Sequence, residues 1–237
     1  MKIAICFSGM MRNFENTFPR FKKFIMDNHE PDIFFSGYPN NCGLDYCLYK
    51  FTDLYKPKKF IINEYTEKLR KQICDNEEKY LVNTRNETKI NNFISQIYNI
   101  KSCDDLRQQY ENENNFQYDV VIRTRLDVFY FKKFDEEELN LAKSGNILIP
   151  TEWDFKEVNP IAVSDSFAMS NSTNMTKYAN LYNNFDKYFQ QGIQMHPETM
   201  FGFHILQQKL NRIAVMGHGW CKFENIDTGD HNERRNY

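Results

Sequence analysis

The stretch YDVVIRTRLDVFY, residues 118–130, decides the fold prediction. Its first half is an apolar run, which is typical of a strand buried in the middle of a sheet. Alternate side chains of a strand point to opposite faces, so we expect Arg123, Arg125 and Asp127 to share one face. Buried charges must be paired or bound to something. This strand end is therefore a candidate ligand site, and the alternative is a ladder of structural ion pairs on a solvated edge.

The segments before this strand alternate between strand-like and helix-like patterns. Short apolar runs ending in polar residues predict strands over residues 2–8, 31–37 and 58–64. Apolar residues at helical spacing predict helices over residues 13–28, 44–55, 66–82 and 87–110. This alternation is typical of an α/β protein with a parallel sheet and crossover helices.

The segments after this strand are less regular. Strands are predicted over residues 146–150, 161–169 and 212–216, and helices over residues 172–190 and 197–210. A proline in the first turn, followed by Glu198 near the positive end, favours the start of the last helix. The polar residues 225–237 predict a mobile tail. Neither an internal repeat nor a long linker divides the chain, which indicates one domain.

The composition excludes several classes of function. The formal net charge is −2, so nothing in it indicates electrostatic binding to nucleic acid. No segment reaches the ~20 apolar residues of a membrane span, and the N-terminus lacks a signal-peptide pattern, so we expect a cytoplasmic protein that starts at Met1. The six cysteines form no CxxC pair, which favours free thiols over a zinc site.

The first strand ends in residues that suit a ligand. Ligands of doubly wound sheets bind beyond the carboxyl ends of the strands. At Gly9, next to Ser8, the backbone can approach a ligand closely, and Arg12 can bind a phosphate in a forked geometry. The alternative is an ordinary strand-to-helix turn with a surface arginine. Neither a Walker A sequence nor a GxGxxG sequence is present.

The charged strand end offers both a carboxylate and two guanidinium groups. Asp127 could hold Mg²⁺ or Mn²⁺ that bridges the phosphates of a nucleotide. Arg123 and Arg125 could then meet the remaining phosphate charge, or they could hold the carboxylate in place.

Three later positions are also candidates. Asp165, in VSDSFAMSN, could be a general base or could bind a sugar hydroxyl, and its alternative role is to cap a turn. His196 and Glu198, in MHPET, lie at a helix start, where a carboxylate is ordinarily a cap. His218, between two glycines in GHGWCKF, could reach a metal or a diphosphate, although a single histidine is weak evidence.

The order of these pieces resembles glycosyltransferases of the GT-A fold. The resemblance rests on IAICFSGMMRNF, FISQIYNIKSCDDL, YDVVIRTRLDV, SDSFAMSN and HPETMFGFHIL. More narrowly, the chain resembles small sugar transferases of bacterial surface-polysaccharide loci and large DNA viruses. The resemblance implies a Rossmann-like, mixed, mostly parallel sheet with helices on both faces. It implies a single catalytic domain over residues 1–224, with a nucleotide-binding half (1–130) and an acceptor half (131–224).

The resemblance also implies a nucleotide-sugar donor near Ser8, Gly9 and Arg12. RLD would occupy the place of the DxD metal motif, with Asp127 as the remaining carboxylate and Arg125 where the first Asp would stand. Mn²⁺ or Mg²⁺ is then the expected cofactor, and His218 could be a second ligand. Alternatively, arginines at positions 123 and 125 replace some of the charge of the cation.

The implied reaction moves a sugar from a nucleotide-diphosphate donor to a hydroxyl of a glycan or other acceptor, as in polysaccharide biosynthesis. An inverting reaction needs a base, for which Asp165 is the first choice and Glu198 the second, whereas a retaining reaction needs none. Two other classes stay open: a sugar nucleotidyltransferase, and a non-catalytic module that binds a nucleotide or carbohydrate.

Overall fold

The computed structural model describes residues 1–64, 66–74, 79–80, 87–151, 154, 156, 159–215 and 221–223. The strands are β1 (Ile3–Met10), β2 (Asp32–Tyr38), β3 (Lys59–Ile62), β4 (Val120–Thr124), β5 (Val128–Tyr130), β6 (Ile147–Pro150), β7 (Ala168–Ser170), β8 (Arg212–Val215) and β9 (Cys221–Phe223). The helices are α1 (Phe14–Phe21), α2 (Asp27–His29), α3 (Leu44–Tyr55), α4 (Glu67–Ile73), α5 (Glu87–Glu113), α6 (Glu136–Lys143), α7 (Ser172–Ala179), α8 (Phe185–Gln190) and α9 (Pro197–Gln207).

Seven of the described strands form one sheet in the order β3-β2-β1-β4-β7-β6-β8. The pairs β3-β2, β2-β1, β1-β4 and β6-β8 are parallel, whereas β7 is antiparallel to both β4 and β6. Strands β5 and β9 form a separate antiparallel pair. The predicted mixed, mostly parallel sheet is therefore confirmed.

Helices cover both faces of this sheet, as predicted. In β1, Ala4 and Cys6 pack into the core formed with α5, α7, α8 and α9. Ile5 and Phe7 pack into the opposite core, formed with α1, α3 and α6. Because both faces of β1 are buried, its sequence is a continuous apolar run rather than an alternating one.

The long helix α5 carries a buried charged cluster on the side that faces α7. The Arg107 guanidinium is fully buried and donates to Asp104 Oδ1 (2.6 Å) and Glu111 Oε2 (2.6 Å). It also donates to Ser172 Oγ (2.7 Å) and Thr176 Oγ1 (2.8 Å) of α7. The cluster therefore joins α5 to α7 through charge-assisted hydrogen bonds.

The predicted strand over residues 118–130 is wrong in its second half. Strand β4 ends at Thr124, and a turn follows before β5. In this turn the Leu126 side chain is buried in the α1–α3 core, and its carbonyl accepts a hydrogen bond from Thr17 Oγ1 (2.6 Å). Arg125 and Asp127 consequently lie in a turn, and they do not share a strand face with Arg123.

The predicted strand over residues 161–169 is also too long. Strand β7 begins only at Ala168, because the backbone before it bonds elsewhere. The Val163 N–H donates to the Glu198 carbonyl (3.0 Å), and the Ser164 N–H donates to Asp154 Oδ1 (3.0 Å). Near the same loop, a Cβ added to Gly202 would lie 1.7 Å from the Ile161 carbonyl oxygen. Only glycine lets α9 pack this closely on the loop.

Most of the remaining boundaries agree with the predictions. The helix predicted over residues 44–55 is α3, whereas the helix predicted over 172–190 is α7, a 3₁₀ turn and α8. Helix α6 was not predicted, although Asp135 and Glu138 form a capping box at its start. The predicted tail, residues 225–237, lies outside the described residues. No described helix has the length and hydropathy of a membrane span.

Candidate active site at the carboxyl edge of the sheet

The candidate site lies where β1 and β4 end. Strands β1 to β4 are parallel, so their carboxyl ends meet at one edge of the sheet. Strand β1 has β2 on one side and β4 on the other, and this change of direction in the strand order is where α/β sheets bind ligands. Strand β7 is antiparallel to β4, with Ala168 paired to Arg123, so the loop before β7 reaches the same edge.

Arg123, the penultimate residue of β4, is the buried cation of this edge. It is 2% exposed. Its Nε donates to Ser8 Oγ (3.2 Å), and its Nη1 donates to the Asp165 carbonyl oxygen. Within the described part of the chain, Arg123 forms no ion pair with a carboxylate. Burial lowers the pKa of Arg123, but a guanidinium stays charged at neutral pH. The site therefore contains a buried positive charge that no described carboxylate contacts directly, although the charges of Asp165 and Asp127 act on it.

The end of β1 leaves its backbone open. Gly9 has φ +110°, which strains other residues, and an added Cβ would meet no described atom within 4 Å. Arg12 lies beyond this strand end and is exposed, and its Nε donates to Met10 Sδ (3.4 Å). No hydrogen bond or ion pair between described residues joins Arg12 to Arg123.

Arg125 and Asp127 form a bidentate pair in the turn after β4. Arg125 Nε donates to Asp127 Oδ1 (2.8 Å), and Arg125 Nη2 donates to Asp127 Oδ2 (2.5 Å). The pair is partly exposed at the Arg125 side chain (34%) and more buried at the Asp127 side chain (16%). It lies close enough to Arg123 that the charge of Arg125 lowers the pKa of Arg123, while Asp127 raises it.

This pairing does not fit a divalent cation at Asp127. Both Asp127 oxygens already accept hydrogen bonds from Arg125, so a metal at Asp127 would either displace the guanidinium or bind beside a group of like charge. In the stretches of chain that the structure describes, no group of three or more His, Cys, Asp or Glu side chains could hold a metal. His218, the predicted second ligand, lies outside the described residues.

Two carboxylates approach the edge on the α5 side. Asp165 Oδ2 accepts a hydrogen bond from Gln96 Nε2 of α5 (2.8 Å). Glu198, in the first turn of α9, lies 3.4 Å from His196 Nε2. Burial, together with the negative charge of Asp165, raises the pKa of Glu198 to about 7. A carboxyl group with this pKa can gain or lose a proton near neutral pH, as a general base must.

Tyr178 of α7 lies near Arg123 and Asp165. Its ring is fully buried and stacks on Phe201 (5.0 Å between centroids). Burial raises the pKa of Tyr178 well above its usual value, which outweighs the lowering by the charge of Arg123, and the charge of Asp165 raises the pKa further. Among the described residues the hydroxyl has no hydrogen-bond partner.

The structure thus brings together several predicted site residues. Ser8, Arg123 and Asp165 are joined by hydrogen bonds, and Glu198 interacts with Asp165 through charge. Sequence analysis did not predict Gln96 or Tyr178 as site residues, because nothing in a helical pattern marks the one position that faces a ligand edge. His196 was noted, and its contact with Glu198 depends on its place just before α9.

The fold of this chain is similar to that of a solved glycosyltransferase structure. The apo structure of mouse Xyloside xylosyltransferase 1 is similar, with a TM-score of 0.53 over 91% of this chain and 85% of that one. The two sequences are 11% identical, so the likeness shows the fold alone. The chain is a mixed α/β protein with a glycosyltransferase-like fold.

The sequence assigns the family more narrowly. Residues 1–194 match the family described as Domain of unknown function (DUF7796), and the chain belongs to this family because the match covers most of its length. No curated protein matches the sequence.

Proposed function

We propose that this protein is a glycosyltransferase that uses a nucleotide-sugar donor. The observation that carries the proposal is the buried Arg123 guanidinium, which has no carboxylate partner among the described residues. A buried charge is costly unless it is paired. The diphosphate of a donor would supply the missing negative charge at the edge where α/β sheets bind ligands.

The open backbone at Gly9 supports the same placement of the donor. A phosphate or ribose can approach the end of β1 there without meeting a side chain. Ser8 holds Arg123 in place, and the exposed Arg12 adds a second cation near the mouth of the site.

Asp165 and Glu198 would interact with the acceptor hydroxyl. In an inverting reaction, one of them removes the proton of the acceptor hydroxyl while its oxygen bonds to the anomeric carbon. The bond from that carbon to the phosphate oxygen breaks, and its electron pair leaves with the nucleoside diphosphate, which Arg123 stabilises. A pKa of about 7 favours Glu198 over Asp165 as this base. In a retaining reaction, both would bind the acceptor instead.

Slow hydrolysis of the donor tests this function. The protein is incubated with UDP-, GDP- and dTDP-sugars, in buffers with EDTA and with Mn²⁺, and the released nucleotide is assayed. We expect release from at least one donor, and loss of that release in Arg123→Gln. Binding without release would favour a non-catalytic module. The absence of both nucleotide release and a thermal shift with every nucleotide would contradict the proposal.

The finer predictions stay proposals. The resemblance to small transferases of bacterial polysaccharide loci and large DNA viruses supports a glycan acceptor. The expected location in the cytoplasm is a prediction from the sequence.

A further inference from the structure

We infer that the donor diphosphate is held by Arg123 and Arg125 without a divalent cation, and that Asp127 positions Arg125 instead of binding a metal. This inference rests on the proposed function, because it assigns how the same site binds its donor. Of the two alternatives that the sequence leaves open, it takes the one in which arginines replace the charge of the cation, rather than the one in which Asp127 is a metal ligand.

The geometry of Asp127 is that of a partner to Arg125. A carboxylate that binds a metal must present an oxygen lone pair toward it. Each Asp127 oxygen already accepts a hydrogen bond from the same Arg125 side chain, at 2.8 Å and 2.5 Å, so a metal on a remaining lone pair would lie close to a guanidinium of like charge. This bidentate pairing fixes the plane of the guanidinium and is among the stronger hydrogen-bonded contacts in proteins. Asp127 therefore orients a cation that is already part of the chain.

The charges around the Arg125–Asp127 pair favour an anion over a divalent cation. Arg125 has Asp127 as its partner, but Arg123 has no carboxylate partner among the described residues and lies within electrostatic reach of Arg125. Arg123, Arg125 and Asp127 together carry a net charge of +1, and the negative charge of Asp165 also acts on Arg123. A divalent cation at Asp127 would add two positive charges beside the two guanidinium groups, whereas a diphosphate would bring negative charge to them.

The Arg125–Asp127 pair is accessible to a ligand from solvent. The Arg125 side chain is 34% exposed, so a ligand can reach its guanidinium without unfolding the turn. Arg123 is buried at the end of β4, near enough to feel the charge of Arg125. The arrangement offers one deep and one shallow guanidinium to a single anion, which suits the two phosphates of a diphosphate.

Calorimetric titration with UDP, GDP and dTDP tests the inference in EDTA and in Mn²⁺. We expect wild-type dissociation constants to agree within about twofold between the buffers, and Arg125→Gln to weaken binding about tenfold or more in both. Asp127→Asn should also weaken binding, and the factor should be equal in EDTA and in Mn²⁺. The double variant should bind no worse than Arg125→Gln, because Asp127 acts through Arg125.

The matched control is Lys22→Gln. This variant also removes the cation of an ion pair, in which Lys22 Nζ lies 2.6 Å from Asp27 Oδ1. The pair lies at the end of α1 that is far from the site. Binding by Lys22→Gln should be unchanged, and thermal melting should show that every variant is folded. Binding that requires Mn²⁺, or an Asp127→Asn effect confined to the Mn²⁺ buffer, would overturn the inference and leave the proposed function standing. Binding of no nucleotide in either buffer would overturn both.

Discussion

Arg107 and Arg123 are both buried arginines, yet their surroundings are opposite. Arg107 donates to two carboxylates and two hydroxyls between α5 and α7. Arg123 donates to one hydroxyl and one backbone carbonyl, and it lies at the edge of the sheet. A buried arginine whose charge is met by carboxylates stabilises the fold, whereas Arg123, which has no carboxylate partner among the described residues, is a candidate for binding an anionic ligand.

The largest effect is expected at Arg107. Arg107→Gln would leave Asp104 and Glu111 buried without their cation, so it should lower the free energy of unfolding by about 3–5 kcal/mol. Urea unfolding measures this loss. Lys101→Gln, which breaks the more exposed pair with Asp105 on the same helix, is the control and should cost less than about 1 kcal/mol. Equal losses in the two variants would contradict the structural role of Arg107.

Arg123→Gln should give the reverse pattern. It removes the cation that faces the proposed diphosphate, so binding of UDP, GDP or dTDP should weaken about 100-fold. The free energy of unfolding should change by less than about 2 kcal/mol, because the loss of two hydrogen bonds is offset by the removal of a buried charge. Titration and urea unfolding measure the two effects. A loss of stability as large as that of Arg107→Gln, with unchanged binding, would place both arginines in one class.

The pH dependence of donor turnover tests whether the acids near Arg123 are chemical or structural. The pKa of Glu198 is raised to about 7 by burial and by Asp165. A base must be deprotonated, so the rate should rise about tenfold between pH 6 and pH 8. Asp165→Asn should move this rise to lower pH, because the neighbouring negative charge is gone. Glu198→Gln should abolish the rise and lower the rate about 100-fold or more. A wild-type rate without this rise would contradict the assignment of Glu198.

The same shift has a consequence for stability. A raised pKa means that the folded state binds the proton more tightly than the unfolded state does. The contribution of Glu198 to stability is therefore fully present below its ordinary pKa and is lost as the pH rises through about 7.

The smallest effect is expected from removing single hydroxyls. Tyr178→Phe should change the free energy of unfolding by less than about 0.5 kcal/mol, since the hydroxyl beside Arg123 has no partner among the described residues. Tyr188→Phe should cost about 1 kcal/mol or more, because it removes the group that hydrogen-bonds to Nδ1 of the buried His204 (2.9 Å). Thermal melting of the two variants compares them directly. Equal costs would mean that the Tyr178 hydroxyl is satisfied in solution.

Sequence patterns predicted the fold well because its signals are local. The apolar runs of β1, β2 and β4 and the helical spacing of α3 depend on neighbours a few residues away. The turn at Leu126 could not be predicted in this way, since it depends on a hydrogen bond from Thr17, more than a hundred residues earlier in the chain. The pairing of Arg125 with Asp127 follows from that turn, so the prediction of three charges on one strand face was wrong for the same reason.

The site residues divide along the same line. Ser8, Arg123, Asp165 and Glu198 could be predicted as candidates because polar side chains are conspicuous at the ends of apolar segments. Their connections could not, because the Asp165 carbonyl that binds Arg123 belongs to the backbone. Backbone groups are the same in every residue, so no sequence pattern reveals which of them accepts a hydrogen bond.

The contact between Gly202 and the Ile161 carbonyl has a consequence for how this protein can diverge. Helix α9, which carries Glu198, rests on the loop that leads to Asp165, and the contact is made by backbone alone. The Val163 N–H strengthens it by donating to the Glu198 carbonyl. The packing of α9 on this loop therefore depends on backbone contacts at Gly202 and Val163. Side chains around the contact can change during divergence without moving the helix, whereas any residue larger than glycine at position 202 would push α9 away from the loop.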